Sequence, residues 1–352
     1  MMLPKSKAAR VPSDFRTIAS VRLLYKAFAY LVLGRIEEKL EAAQPEEQHG
    51  FRSERRIEEH LLTASLVISK TMAANTPLWI ISLDLSKAFD RVSWPSLWKA
   101  LREQGISEQL IWVLQVLYFQ QEGKILGEGT ESRWFKISAG VRQGCVLSPR
   151  LFCCVLQWAL RKWRENSNNT GLDLGDGLQN LLDLRYADDI LLFGTSANEV
   201  CQNLDQLVKG LAEVGLILNS SKTVALTTEA QAPCVIRTPS NVEIRVIERL
   251  SSHKWLGCML STPYSGAHGL DVDFHLQAAS KAFYANRFLL TDRRTSICAR
   301  LKYFMTVISP VACFAAGHRI HYQDDLQRMG THFRKLARQV VGPPPGVDRS
   351  GP

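Results

Sequence analysis

The sequence predicts an α+β fold in which helices pack on one face of a mostly antiparallel sheet. Short β-rich apolar runs alternate with stretches of helical spacing, acidic residues fall at strand ends or turns, and no internal repeat is visible. The 352 residues are 46% hydrophobic and 22% charged, the composition of a folded globular protein that can bury a core for two or three subdomains.

Thr17 to Leu40 has helical spacing, with Ile18, Val21, Leu24, Tyr25, Phe28, Leu31 and Val32 on one broad face. Pro45 to Arg56 is polar and contains glycine, hence a loop, and Ile57 to Met72 is a second amphipathic helix. Pro77 opens a strand, Leu78 to Asp84, which is short, β-rich and ends in an acid. Ser93 as N-cap and Pro95 in the first turn start a helix over Ser96 to Gln104, and Gly105 stops it. Ser107 to Tyr118 is another helix, and Lys124 to Ser138 reads as a hairpin with Gly127 and Gly129 near its turn. Gly140 to Pro149 is a glycine-punctuated loop entering a long helix, Arg150 to Trp163. After the turn-rich Ser167 to Gly177, Leu181 to Phe193 reads strand, turn, strand, with Ala187-Asp188-Asp189 in the middle. Val200 to Val214 is helical and ends at Gly215, Leu216 to Leu218 starts an edge, and Lys254 to Leu260 is a β segment. Beyond Thr262 the chain is helical and basic, with Lys281, Arg287, Arg293, Arg294, Arg300, Lys302, Arg319, Arg328, Arg334, Lys335 and Arg338 facing few acids. Residues 341–352, Pro/Gly-rich, read as a disordered tail.

The formal charge of +9 favours an anionic partner. The stretch Met1 to Val11 carries Lys5, Lys7 and Arg10 with no apolar core behind it, so it is not a signal peptide. The longest apolar run, Leu110 to Phe119, is too short to span a bilayer and contains Gln115. The expectation is a soluble, intracellular protein that engages no membrane, with nucleus and cytoplasm both open. None of the eight cysteines is spaced Cys-x-x-Cys, and no histidine cluster completes a zinc pattern. They are expected to be small buried hydrophobes in a reducing compartment.

Three aspartates carry the chemistry. Asp84 stands at a strand end, and Asp188-Asp189 lie on a turn between Leu181-Leu182-Leu184 and Ile190-Leu191-Leu192-Phe193. Carboxylates converging from a strand end and a neighbouring turn suit hard cations such as Mg²⁺, which take oxygen ligands. Two such ions roughly 4 Å apart neutralise the entering and leaving oxygens of a phosphoryl transfer. Asp90 reads as a helix-start or local turn residue.

Ordered motifs then carry a resemblance. Leu83-Asp84-Leu85-Ser86-Lys87-Ala88-Phe89-Asp90 resembles the first catalytic motif of reverse transcriptases. Gly140 to Pro149 is similar to their Gln-Gly nucleotide-binding loop, and Tyr186-Ala187-Asp188-Asp189 to their catalytic box. Gly215 to Thr223, with Leu218-Asn219 and Lys222, resembles the motif that follows, and Trp255-Leu256-Gly257 the hairpin that grips the primer. Phe15-Arg16-Thr17-Ile18 and Gln48-His49-Gly50-Phe51-Arg52 resemble fingers motifs of the non-long-terminal-repeat (LINE-like) retrotransposon branch, although Thr17 stands where relatives often have proline. The match runs in order from about Leu3 to Leu260.

The resemblance implies a right-hand polymerase fold, with fingers and palm over residues 1–262 and a helical thumb over 263–340. It implies an RNA-directed DNA polymerase that extends a DNA primer on an RNA template with deoxynucleoside triphosphates, using two Mg²⁺ ions or Mn²⁺ in their place. Asp84, Asp188 and Asp189 are its metal ligands, Asp189 as auxiliary, and Lys222 serves the leaving pyrophosphate. Phe89 is the gate against a ribose 2′-hydroxyl; Gln143, Gly144 and Leu85 meet the nucleotide; and Arg52, with Arg55 or Arg56 as alternatives, meets the triphosphate. Trp255, Leu256 and Gly257 form the primer grip, and Phe283 and Tyr284 are core residues or touch the minor groove. The endonuclease and further nucleic-acid-binding segments of full LINE-like proteins have no counterpart in the sequence, so it reads as a truncated copy. A catalytically silent nucleic-acid-binding remnant and a group II intron maturase-like enzyme are the alternatives. Protein partners are open.

Overall fold

The computed structural model describes residues 2–4, 15–127, 130–167, 170–175, 179–247, 251–262, 264–318 and 323–342. The expected tail after Gly342, together with Lys5, Lys7, Arg10, Gly129 and Arg319, lies outside these residues. The chain divides into two compact units. One comprises residues 1–55, 79–225 and 233–246, and the other residues 56–78, 226–232 and 247–352.

The first unit is organised on the strand Trp79–Leu83, whose side chains are all buried. It lies within a six-stranded sheet, between Val224–Thr227 and Asp189–Gly194, with Asp183–Tyr186 at one edge and Glu243–Val246 and Val235–Arg237 at the other. Trp79–Leu83 pairs antiparallel with Asp189–Gly194, and that strand pairs antiparallel with Asp183–Tyr186. Val224–Thr227 and Glu243–Val246 pair in parallel, an exception to the expected mostly antiparallel character. The helix Ala197–Glu213 packs on Trp79–Leu83 and Asp189–Gly194, and the helix Ser148–Asn166 packs on that helix in turn. Ser196 caps the former, its hydroxyl accepting from the Glu199 amide. Ser93 does the same for Trp94–Glu103, with Pro95 in the first turn as expected.

The first long helix departs from expectation. It covers Leu23–Ala42, because Phe15–Thr17 pairs as a strand with Met2–Pro4. Its buried side is Ala29, Val32, Ile36 and Leu40, while Leu24 and Leu31 are exposed. Apolar residues surround its first half, so their spacing selects no face. Its second half does: Arg150 reaches Glu37 at 2.8 Å and Glu41 at 2.6 Å, which fixes the rotation of the helix.

Beneath the Asp183–Gly194 hairpin lies a buried charge network. Arg164 Nη2 donates to Asp183 Oδ1 at 2.6 Å, and its Nη1 donates to Glu47 Oε1, also at 2.6 Å. Arg185 pairs with the other oxygen of Asp183 and donates to Gln157 Oε1 at 2.7 Å. Asp183 and Arg185 are both buried, although they alternate with leucines along the strand. Burial alone would raise Asp183, but the Arg185 and Arg164 guanidiniums outweigh it and hold its carboxyl below the usual range.

In the second unit, helices Tyr264–Ala285, Ile297–Val307 and Gln323–Val341 share a core containing Val272, Leu276, Phe283, Phe304, Leu336 and Val340. Phe283 is a core residue, whereas Tyr284 is exposed: adjacent helical positions point about 100° apart, so only one faces the core. Ser252–Trp255 and Cys258–Ser261 form an antiparallel hairpin in the same unit. No helix among the described residues is long and apolar enough to cross a membrane.

The network yields a prediction with a defined sign. Asp183→Asn removes the buried negative charge shared by Arg185 and the half-buried Arg164, and should cost about 3–5 kcal/mol in urea unfolding at neutral pH. Because the folded-state pKa of Asp183 is depressed, its contribution is present above the ordinary carboxylate pKa of about 3.9 and is lost as pH falls through the lower folded value. The gap between parent and variant should therefore narrow in acid, and a gap that is small at neutral pH would contradict the assignment.

Candidate active site

Register brings the first two acids together. Leu83 pairs with Ile190, so continuing the ladder by one residue sets Asp84 opposite Asp189. Tyr186 pairs with Asp189, which leaves Ala187 and Asp188 as a two-residue turn. Ala187 takes a φ of 60°, a left-handed conformation that costs a non-glycine residue free energy and so needs outside support.

That support comes from Glu47 to Gly50. His49 N donates to Arg185 O at 3.0 Å, and Arg185 N donates to Glu47 O at 2.8 Å, so this loop runs along the hairpin edge. The buried Gln48 carboxamide accepts from the amides of Ala187 at 3.1 Å and Gly50 at 3.0 Å, and its Nε2 donates to Cys153 Sγ at 3.6 Å. Gly50 has no space for a side chain: a Cβ there would lie 2.3 Å from Ala187 N.

Asp84 is held from the other side. Asn219 donates its backbone N–H to Asp84 O and its Nδ2 to Asp84 Oδ2, each at 2.8 Å. The Asp84 amide donates to Thr223 Oγ1 at 3.3 Å, and Leu85 bridges Leu218. Lys222 Nζ lies 3.8 Å from Asp84 Oδ2 on a largely exposed side chain. Burial, and then repulsion from Asp188 and Asp84, pushes the Asp189 carboxyl up to about 6. Like charges gathered with oxygen donors only are what a divalent cation would relieve, so the donor set fits hard metal ions.

The glycine loop is fastened to the segment after Asp84. Val141 N donates to Phe89 O at 2.7 Å, Gly140 N to Val92 O at 2.8 Å, and Trp94 Nε1 to Gly140 O at 2.9 Å. Gln143 O accepts from Ala19 N at 2.9 Å, and Gly144 has a φ of 101°, which favours glycine. The Phe89 ring stacks on Phe152 at 4.8 Å and meets Phe51 edge-on at 6.1 Å. Asp90 stands in the short helix Ala88–Arg91, and its carboxylate accepts from the Thr17 hydroxyl at 3.3 Å, a contact distant in sequence.

Other candidates sit differently. Arg52 is turned inward: Nε donates to Glu41 Oε1 at 2.7 Å, and Nη1 donates to Pro45 O at 2.6 Å and Gln48 O at 3.1 Å. Its guanidinium thus folds the loop that holds Gln48 and is engaged by protein groups in this arrangement. Arg55 pairs with Glu46 at 2.6 Å. The Leu85 side chain is buried, so only its backbone could meet a ligand. In the other unit, Leu256 (φ 48°) and Gly257 (φ 85°) form the turn of the Ser252–Ser261 hairpin, and buried Trp255 stacks on His60 at 6.4 Å. Gln48 and Asn219 were not singled out by the sequence reading, although both stand inside runs that carried the resemblance.

Gly50→Ala tests the bracing of the turn directly. The added methyl should drive Gly50 and Ala187 apart and cost about 1–3 kcal/mol in chemical denaturation. A variant as stable as the parent would show that the contact is not a constraint.

Comparison with known proteins supplies the family. The reverse transcriptase (RNA-dependent DNA polymerase) family profile matches residues 3–260. The chain is 27% identical over 264 residues to the Retrovirus-related Pol polyprotein from type-2 retrotransposable element R2DM of Drosophila melanogaster, covering 73% of this chain and 24% of that protein. It is 24% identical over 358 residues to the RNA-directed DNA polymerase from mobile element jockey of Drosophila funebris, covering 98% of this chain and 37% of that protein. The chain thus spans about a quarter to a third of the curated relatives it matches. Among solved structures, a telomerase from Candida tropicalis in complex with a TWJ fragment of telomeric RNA aligns with a TM-score of 0.50 at 14% identity. That alignment covers 93% of this chain and 53% of the telomerase, and shows a shared right-hand polymerase fold. The chain belongs to the reverse transcriptase family, as a LINE-like reverse transcriptase domain whose relatives are retrotransposable-element proteins.

Proposed function

We propose that this domain is an RNA-directed DNA polymerase that extends a primer 3′-hydroxyl on an RNA template with deoxynucleoside triphosphates. The observation that carries the reading is the meeting of Asp84 with the Asp188-Asp189 turn, with Asn219 and Lys222 against Asp84. Asp84 and Asp188 would hold two Mg²⁺ ions, or Mn²⁺ in their place, with Asp189 auxiliary. Such ions would neutralise charge on the entering and leaving oxygens.

The protein's own groups have distinct tasks. Asn219 orients the Asp84 carboxylate by occupying Oδ2. Lys222 sets a positive charge and a proton donor beside that carboxylate, where it can serve the leaving pyrophosphate. Phe89, stacked on Phe152, is a fixed wall five residues after Asp84 that disfavours a 2′-hydroxyl. Gln143 and Gly144 offer side chain and accessible backbone to the nucleotide and template, and Leu85 offers backbone alone. The turn at Leu256-Gly257, with Trp255 behind it, is suited to grip a primer. The basic helices contribute phosphate contacts, which would make template–primer binding salt-dependent. The functional division we propose, fingers and palm over 1–262 and thumb over 263–340, follows the chain. By contacts, the 252–261 hairpin groups with the helices after it.

The test gives the purified chain an RNA template, an annealed DNA primer, deoxynucleotides and Mg²⁺, with Asp188→Asn alongside. The expected result is extension by the parent, its loss in the variant, and refusal of ribonucleotides by the parent. A parent that binds template–primer yet extends nothing with Mg²⁺ or Mn²⁺ would overturn the enzyme and leave a silent nucleic-acid binder.

A further inference from the structure

A second cluster of ligand-type side chains lies in the other unit, in no role assigned above. Cys258 opens the second strand of the 252–261 hairpin, and Asp271 and His275 stand one turn apart on the helix Tyr264–Ala285. All three are buried, and their ligand atoms lie within 4.8 Å of one another. His275 Nε2 is 3.7 Å from Cys258 Sγ and 3.4 Å from Asp271 Oδ1. Around a tetrahedral zinc ion with bonds of about 2.0 Å to nitrogen and oxygen and about 2.3 Å to sulfur, those separations would be about 3.6 and 3.3 Å. The two observed spacings are thus close to two edges of a zinc tetrahedron, and the third, Cys258 to Asp271, is within 4.8 Å.

The surroundings point the same way. His275 Nδ1 is 3.2 Å from the Val311 carbonyl, which can only accept, so Nδ1 carries a proton and Nε2 is the nitrogen turned to the cluster. A backbone carbonyl on the far nitrogen is the usual partner of a metal-bound histidine. Asp271 Oδ1 accepts from Met259 N at 2.8 Å, which fixes the carboxylate. The Phe314 ring, 5.7 Å from the imidazole, adds an apolar wall. A hydrolytic Cys-His-Asp relay is a poorer fit. It would need the carboxylate on Nδ1, whereas Cys258 and Asp271 both address Nε2.

We propose that Cys258, Asp271 and His275 bind one zinc ion that staples the 252–261 hairpin to the Tyr264–Ala285 helix, with water in the fourth position. Binding displaces the Cys258 thiol proton to solvent and forms a thiolate–zinc bond without redox change. Because the donors are buried, the ion enters as hairpin and helix close upon each other during folding. The site does not depend on the polymerase reading.

The test uses the full chain, prepared with zinc and again with Co²⁺. Expected are one tightly held zinc per chain, a thiolate-to-cobalt charge-transfer band in the cobalt form, and a fall in Tm when a chelator strips the metal. Cys258→Ser should lose the band, while Asp188→Asn keeps zinc, band and Tm response. Parent protein that retains no zinc, or a cobalt form without the thiolate band, would overturn the proposal and leave a thiol–imidazole hydrogen bond. Both readouts come from the parent, so a variant that fails to fold does not blunt them.

Discussion

Three carboxylates drawn to one place repel one another, and much of the first unit answers that repulsion. Asp84 arrives on the most protected strand of the sheet, and Asp188 and Asp189 arrive on the turn of its neighbour. The raised pKa of Asp189 expresses first its desolvation and then that convergence. A chain selected for stability alone would not gather these groups; one that must bind cations would.

The cost is met by rigid support behind each acid. Gln48 holds the strained Ala187 amide, and Gly50 lets the supporting loop approach the turn more closely than any side chain would allow. Arg52 shapes that loop from inside, and the Glu47–Arg164–Asp183–Arg185 network fastens it to the hairpin and to the long helix behind. Asn219 does for Asp84 what Gln48 does for the turn. A site built this way is held by amides and guanidiniums that bond to the protein itself, so its precision depends on residues outside the three carboxylates.

Legibility in the sequence followed this division. The strand ending at Asp84, the hairpin around Asp188, the cap at Ser93 and the helix through Val200 could be read, because local apolar runs and turn chemistry dictate them. The supports could not. Gln48, Asn219 and Arg52 are ordinary polar residues until distant segments meet, and Asp183 and Arg185 alternate with leucines as though they faced water. The strands Val224–Thr227, Val235–Arg237 and Glu243–Val246 were missed because they are only three or four residues long and complete a sheet nucleated elsewhere. The helix of Leu23–Ala42 showed its length but not its buried face, since ion pairs from Arg150 choose the rotation. The cluster of Cys258, Asp271 and His275 escaped a search for paired cysteines because it holds only one.

The central claim is that the fold holds Asp84, Asp188 and Asp189 as a preformed cation site. Metal titration followed by thermal melting tests it most directly. Without template or nucleotide, Mg²⁺ or Mn²⁺ should raise the Tm of the parent saturably, and the rise should be lost in Asp84→Asn. A parent whose Tm ignores both ions, or a variant that responds as the parent does, would contradict the claim.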